Sequence, residues 1–284
     1  MLSICEESRH DFSYTLRSKI QSVSSNFASK SGWRSFNAKD FQVIHLKIKM
    51  AHLASVFCNY RIVHISDIHY GQWVSSERLG GIVELVNQIC PDAVVVTGDF
   101  VSYLLDKGLE EELVLHLGRL QSRDGVFAVL GNHDHWAGAD RVRGILKRSG
   151  IIDVSNEVYV VERGGFRLVF AGVDSVMMGK ARLDVVLEKM PLDDPAVLLV
   201  HEPDFALTTA FTRRFGLQLS GHSHGGQFRI PGLGTPFRGR YARWYPHGLY
   251  DVGGMALFTS SGLGTNSYWL RVNCPPQIVV VSLV

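Results

Sequence analysis

Cysteine is scarce in this chain. Its 284 residues carry four, Cys5, Cys58, Cys90 and Cys274, widely separated and in no C-x-x-C spacing. That distribution excludes a disulfide framework and a thiolate zinc site, and it points to a reducing, cytoplasmic setting. Long apolar runs are missing as well: no uncharged stretch approaches the roughly 18 residues needed to cross a bilayer. The first residues, with Glu6, Glu7, Arg9 and Asp11 close behind Cys5, have no apolar signal core. Contact with a membrane is therefore expected to be peripheral. An excess of one charge is also lacking. A net charge of +2 and a pI near 8.3 are too weak a bias to imply a nucleic-acid partner. There is no internal repeat and no long low-complexity linker.

What is present suits one large core. Hydrophobic residues make up 46% of the chain and charged residues 20%, which is ordinary for a globular protein with a single catalytic domain. Residues 1–40 differ: they are rich in serine, and Phe12, Leu16, Ile20, Val23 and Phe27 recur at helical spacing. The segment reads as an N-terminal extension carrying an amphipathic helix. Docking on the protein's own body is its plainer use. Arg9, Arg17, Lys19 and Lys30 offer a modest attraction to anionic lipid as the alternative.

Residues 41–284 read as the catalytic domain. Ile44, Leu46, Ile48 and Met50 alternate with polar residues in a half-buried strand, and Arg61–Ile65 is a second. Leu79, Ile82, Val86 and Ile89 mark a helix stopped by Pro91, and Ala93–Val96 a buried strand. A helix through Leu109, Leu113, Leu117 and Leu120 leads to the strand Val126–Leu130. Strand, helix, strand, helix, strand is the order of a parallel sheet. A basic helix around Val142, Ile145 and Leu146 follows. Then come strands at 157–161 and 167–170 joined by Gly164-Gly165, a helix around Leu183, Val186 and Leu187, and strands at 196–200, 217–219, 255–259 and 278–284. The last of these is expected to close a sheet, and residues 231–254 to form glycine-rich loops.

One event recurs five times. An apolar strand ends, and side chains able to bind metal follow at once: Asp67-x-His69, Asp99, Asn132-His133, His201, and His222-x-His224. Nitrogen and oxygen donors without thiolates suit Zn, Mn or Fe ions. Singly, each has a plain explanation. A D-x-H triplet is nearly expected in a chain of this length, and a strand-end histidine is more often a satisfied core residue. Gly131-Asn132-His133-Asp134 is a different matter. At average residue usage that tetrapeptide arises in roughly one such chain in a thousand, and G-H-x-H in about one in a hundred.

In this order the five resemble the calcineurin-like metallophosphoesterases, whose pattern D-x-H, G-D, G-N-H-[DE], H, G-H-x-H is met over about residues 42–284. The resemblance implies an α/β fold, a four-layer αββα sandwich of two mixed β-sheets flanked by helices. It also implies two divalent metal ions, one held by Asp67, His69 and His224, the other by Asn132, His201 and His222, with Asp99 between them. His133 then binds no metal and faces the scissile group. One position departs from the pattern: many members read G-D-x-x-D, the last Asp orienting the catalytic histidine, and here Ser102 stands there. Asp134, next door, is taken as the catalytic partner of His133, with Asp174 as the second candidate.

The chemistry follows from the donors themselves. Two dications sharing a carboxylate sit about 3.5 to 4 Å apart, polarise a phosphoryl oxygen, and bridge a water acidic enough to give hydroxide near neutral pH. Four positive charges, less two from Asp67 and Asp99 and one from hydroxide, leave about +1 to attract a phosphate anion. Neutral Asn132 preserves that surplus.

Arg238, Arg240 and Arg243, among Tyr241, Trp244, Tyr245 and Tyr250, are the candidate substrate-binding residues. Guanidinium forks grip phosphate, and the rings can stack on a base or line a slot for an acyl chain. The tail also resembles a bacterial branch of the family that includes UDP-2,3-diacylglucosamine hydrolases of lipid A synthesis. A nucleotide-sugar lipid substrate, met peripherally at the inner membrane, is the corresponding expectation, and a generic phosphodiesterase or phosphomonoesterase on soluble esters is the alternative. An inactive scaffold is disfavoured because every ligand position is filled. A repair nuclease is disfavoured because no long basic groove is evident. The sequence assigns no oligomeric state.

Overall fold

Most central strands of this protein are apolar on both faces, because each is covered on both faces. The computed structural model describes residues 35–103, 105–236, 238–265 and 270–284. The amphipathic helix expected around Phe12–Phe27 lies outside these residues. In β2 (Arg61–Ile65), β3 (Ala93–Thr97) and β4 (Gly125–Val129), alternate residues separate cleanly. Val63, Val94, Val96 and Ala128 pack outward with Leu79, Ile82, Val86, Leu113, Leu117 and Ile145 of three helices, α1 (Ser76–Gln88), α2 (Lys107–Leu117) and α3 (Asn132–Arg148). Ile62, Ala93, Val95, Phe127 and Val129 turn inward. There they meet the inner residues of a second sheet: Leu168 and Phe170 of β7 (Phe166–Gly172), Val197 and Leu199 of β8 (Ala196–Leu199), and Leu217 and Leu219 of β9 (Leu217–Ser220). The outer face of that sheet, through Val169, Ala171, Ala196 and Leu198, packs on Val186 of α4 (Leu183–Lys189) and on Met190. The period-two side-chain alternation thus builds three apolar layers between four layers of structure.

With β1 (Gln42–Ile48), β5 (Ile152–Asp153), β6 (Glu157–Arg163), β10 (Gly248–Val252), β11 (Met255–Thr259) and β12 (Gln277–Leu283) the two sheets are complete. Each has six strands, in the orders β1-β12-β2-β3-β4-β5 and β10-β11-β9-β8-β7-β6. Both are mixed: β12 runs parallel to β1 and antiparallel to β2, and β10 and β6 are the antiparallel edges of the second sheet. The fold is the expected αββα sandwich.

Three local differences from the sequence reading have physical reasons. The C-terminal strand does not close the first sheet at an edge. It lies between β1 and β2, and its apolar run Ile278–Val281 is buried because both neighbours cover it. The segment 248–252, read as loop, is β10; Gly253 (φ 62°) and Gly254 (φ 90°) supply the left-handed turn of a hairpin with β11. The basic helix begins earlier than its apolar residues suggest: α3 starts at Asn132 and carries a break at Gly138 (φ 112°). Among the described residues no helix is long and apolar enough to cross a membrane.

Candidate metal centre

Five strands end in one place. Asp67 and His69 follow β2, Asp99 follows β3 and Asn132 follows β4; His201 comes from β8, and His222 and His224 from β9. The carboxyl ends of parallel strands in both sheets therefore converge, where ligands of α/β sheets gather. The backbone takes unusual shapes to bring the side chains round. Asp67, His69, Asp99, His222 and His224 all have positive φ, between 45° and 67°. A run of such non-glycine residues marks a site whose surroundings hold it against local preference. Glycines make room: a Cβ on Gly221 would overlap Ser66 Oγ and Asp67 Oδ2, and one on Gly131 would overlap Asp99 Oδ1.

The donors fall into two groups that share one residue. Asp67, His69, Asp99 and His224 form the first, Asp99, His201 and His222 the second, and within each group the donor atoms lie within 4.8 Å of one another. Asp99 Oδ2 is 3.5 Å from Nε2 of His69 and 3.2 Å from Nε2 of His201. Nε2 of His69 and His224 are 3.0 Å apart, and Nδ1 of His222 is 3.2 Å from Nε2 of His201. Asn132 Oδ1 is buried with no hydrogen-bond partner, an acceptor left for a cation. The donors present, all oxygen and imidazole nitrogen, fit a pair of divalent ions. Such ions would be held by Asp67, His69, His224 and Asp99 on one side and by Asp99, Asn132, His201 and His222 on the other.

The electrostatics agree with a cation site. Burial alone would neutralise His201 and Asp99, but each keeps the other charged: the imidazole is held well above its usual range and the carboxyl well below. Burial pushes Asp67 up to about 7, opposed by His201 and reinforced by the charge of Asp99. Burial likewise drives His69 down to about 3 and His224 well below the usual imidazole range. A cluster of this kind would exchange its protons for divalent ions if it held them.

A second layer of residues aims these ligands. The Thr97 carbonyl accepts from Nδ1 of His201 at 2.6 Å, turning Nε2 toward the centre. Nδ1 of His69 lies 2.8 Å from Ser102 Oγ, and the Arg240 carbonyl accepts from Nε2 of His222 at 2.8 Å. Backbone N–H of His222 donates to both oxygens of Asp67, at 3.0 and 3.1 Å. Arg271 is a partner that sequence reasoning missed. Its guanidinium donates to the carbonyls of Ser261 and Gly264 and stands 3.5 Å from Nδ1 of His224. Cys274 donates through Sγ to the carbonyl of His224 at 3.3 Å. The Gly262-x-Gly264 spacing is the only signal that could have pointed there: a Cβ at either glycine would press on Asp67 or its neighbouring backbone.

His133 is buried beside the centre, its N–H donating to Asp99 Oδ1 at 2.9 Å and its ring edge-on to Tyr103 and Trp136, both with centroids at 4.6 Å. Asp134 does not orient it. As the third residue of α3, its carboxylate turns back to accept N–H bonds from Gly131, Asp99, Phe100 and Val101 at 2.8 to 3.3 Å. Asp174 is elsewhere, paired with His135 at 2.7 Å and Arg143 at 2.9 Å. The group at Nδ1 of His133 is the Ser102 carbonyl, at 3.0 Å.

The sequence pattern of the calcineurin-like phosphoesterases matches residues 60–226, which hold every one of these ligands. The chain belongs to that family. Among its relatives, the uncharacterized metallophosphoesterase YkuE of Bacillus subtilis is 30% identical over 238 residues, 83% of each chain. Phosphodiesterase YaeI of Escherichia coli is 28% identical over 229 residues, 79% of this chain and 82% of its own. Among solved structures, the sulfate thiohydrolase SoxB of Thermus thermophilus superposes with a TM-score of 0.50 at 13% identity, covering 82% of this chain and 58% of its own. That likeness concerns the fold alone. The chain is a metallophosphoesterase, a hydrolase of phosphoesters.

In this metallophosphoesterase the candidate metal ligands open into a cleft of about 920 Å³. Its lining mixes His133, His222 and His224 with apolar Tyr103, Trp136, Met177, Phe228 and Pro236 and with two of the three expected arginines, Arg238 and Arg240. Arg243 is outside. Its N–H, with those of Trp244 and Tyr245, donates to the carboxylate of Asp204 at 2.7 to 3.1 Å, and its carbonyl accepts from Arg238. Asp204 thereby fastens the arginine loop. Buried Glu202 fastens the segment that brings Met177 to the cleft by accepting from Ser175 Oγ and from the N–H groups of Val176 and Met177 at 2.6 to 3.0 Å.

Proposed function

We propose that this chain is a dinuclear metal-dependent phosphodiesterase that accepts esters or anhydrides with a bulky, partly apolar substituent. The observation that carries the reading is the position of Asp99 Oδ2, within 3.5 Å of ring nitrogens from both ligand groups. One carboxylate shared by two sets of donors is the arrangement that serves two adjacent ions. When bound, divalent cations supply Lewis acidity, polarising the phosphoryl oxygen and lowering the pKa of water.

The chain's own residues supply the rest. The Ser102 carbonyl can only accept, so Nδ1 of His133 carries the proton of that bond and Nε2 is directed to the cleft. When Nε2 is protonated too, the imidazolium donates to the phosphoryl oxygens, stabilising their charge, or delivers its proton to the departing oxygen. Arg238 and Arg240 stand on the wall where a non-reacting phosphate or sugar would lie. The aromatic pair Tyr103 and Trp136, stacked at 5.7 Å with planes 7° apart, backs His133 and limits water there.

The finer reading, a nucleotide-sugar lipid such as UDP-diacylglucosamine, is supported by the volume of the cleft and by its pairing of arginines with apolar walls. Elemental analysis combined with Mn-dependent turnover of an activated aryl phosphodiester tests the core of the proposal. Wild-type rates in both Asp99→Ala and His133→Ala would sink it. Incubation with UDP-diacylglucosamine beside soluble diesters tests the finer reading, and turnover of the soluble esters alone would remove the lipid.

A further inference from the structure

Beyond the cleft, its wall continues into a lip made of two segments, residues 227–236 and 270–274. They are zipped together: Phe228 bridges Val272, N–H of Arg229 donates to the Val272 carbonyl at 2.9 Å, and N–H of Val272 donates to the Gln227 carbonyl at 2.8 Å. The side-chain amide of Asn273 adds a bond to the Arg229 carbonyl at 3.1 Å. A turn from Ile230 to Gly234 projects from the first segment. On this lip Leu233 is 70% exposed, Leu270 55%, Ile230 45% and Val272 37%. Single exposed apolar residues are ordinary on a protein surface, but four on one projecting element mark a contact.

The charge around the lip says with what. Between Asp204 and Asp251 the sequence has no acidic residue, while the exposed Arg229 lies on the lip itself and the exposed Arg238, Arg240 and Arg243 follow it in the chain. From Val252 to the last residue there is again no acidic residue. A second copy of the chain meeting this face would bring like charges together. An anionic lipid surface meets both needs, taking leucine and isoleucine into the boundary below its headgroups and guanidinium groups against its phosphates.

We propose that this lip is a docking surface for an anionic lipid bilayer, with Leu233, Leu270, Ile230 and Val272 as the inserted side chains and Arg229 as the nearest cation. The same lip supplies Phe228, Pro236 and Arg238 to the cleft, so docking brings the cleft mouth to the membrane interface. The inference does not depend on the phosphodiesterase reading.

The test is co-sedimentation of the full chain with vesicles of phosphatidylcholine alone and of phosphatidylcholine mixed with phosphatidylglycerol. Binding is expected to the anionic vesicles, weakening as salt rises. The double variant Leu233→Asp/Leu270→Asp should bind them about tenfold or more weakly, and Arg229→Gln should weaken binding at low salt. Both variants should keep wild-type melting temperatures and wild-type Mn-dependent turnover of a soluble aryl phosphodiester. Equal vesicle binding by the wild type and the double variant would overturn the proposal, as would no binding by the wild type. So would a wild-type dimer that the leucine substitutions dissociate without changing vesicle binding, for the patch would then be a self-association surface.

Discussion

Nδ1 of His133 lies 3.0 Å from the backbone carbonyl oxygen of Ser102. The hydroxyl of the same serine lies 2.8 Å from Nδ1 of His69, so one residue orients the proposed acid with its backbone and a candidate metal ligand with its side chain. The two functions separate on mutation. Ser102→Ala removes support from His69 and leaves the carbonyl in place. Metal affinity should fall about 10- to 100-fold, and kcat at saturating Mn should return close to wild type. A metal titration of activity reads both quantities; a lasting loss of kcat with unchanged affinity would contradict this assignment.

His133 and Asp134 are adjacent in sequence and differ in their work. His133→Ala should lower kcat by about 10²- to 10⁴-fold with the metal content intact. Asp134→Asn should act on the fold, because an amide nitrogen would then face backbone N–H donors that a carboxylate oxygen now satisfies. A loss of about 1 to 3 kcal/mol in unfolding free energy is expected, measured by denaturant titration. Unchanged stability with a displaced pH profile would return Asp134 to the orienting role.

These contrasts show what could be read along the chain. That the candidate ligands would gather was legible because each follows an apolar strand directly, and the strands and helices because hydrophobic residues alternate or run unbroken between turn signals; the pairing of two sheets face to face came from the family resemblance. Asp134 misled because neighbours on a helix start point apart; at its position the side chain reaches back to the N–H of Gly131, a contact set by helix geometry. Arg271 and Cys274 left only the Gly262-x-Gly264 spacing, and Glu202 and Asp204 nothing, for the groups the four hold lie 7 to 50 residues away in sequence. Contacts of that kind exist only once the sheets have packed.

Asn132 tests the charge balance of the centre. Its buried Oδ1 has no partner, and as a neutral donor it leaves the metal pair with more positive charge than a carboxylate would. Asn132→Asp should hold Mn at least as tightly and bind an anionic phosphoester about tenfold less well, seen as a raised KM, since one added negative charge opposes the substrate in a largely buried site. Weaker Mn binding in the variant would show that this position does not face a cation.

Asp67 gives the centre a pH dependence whose sign can be worked out. Burial holds its carboxyl up at about 7, against an ordinary 3.8. Between those values the native chain without metal keeps a proton that the unfolded chain has released, so on this group's account stability falls as pH rises through the window. Below it both states are protonated and the contribution vanishes; above it the full cost of a buried charge remains. Asp67→Asn cannot ionise. After chelator treatment the variant should therefore melt higher than similarly treated wild type, by a margin that widens from about pH 4 to about pH 7 and then levels off. Divalent metal reverses the ranking, because it stabilises only the carboxylate form. The rise in melting temperature that Mn confers on the wild type should grow over the same interval, while the variant should gain little at any pH. A margin that stays flat with pH, or a variant stabilised by Mn as much as the wild type, would mean that Asp67 is not a ligand whose proton the metal displaces.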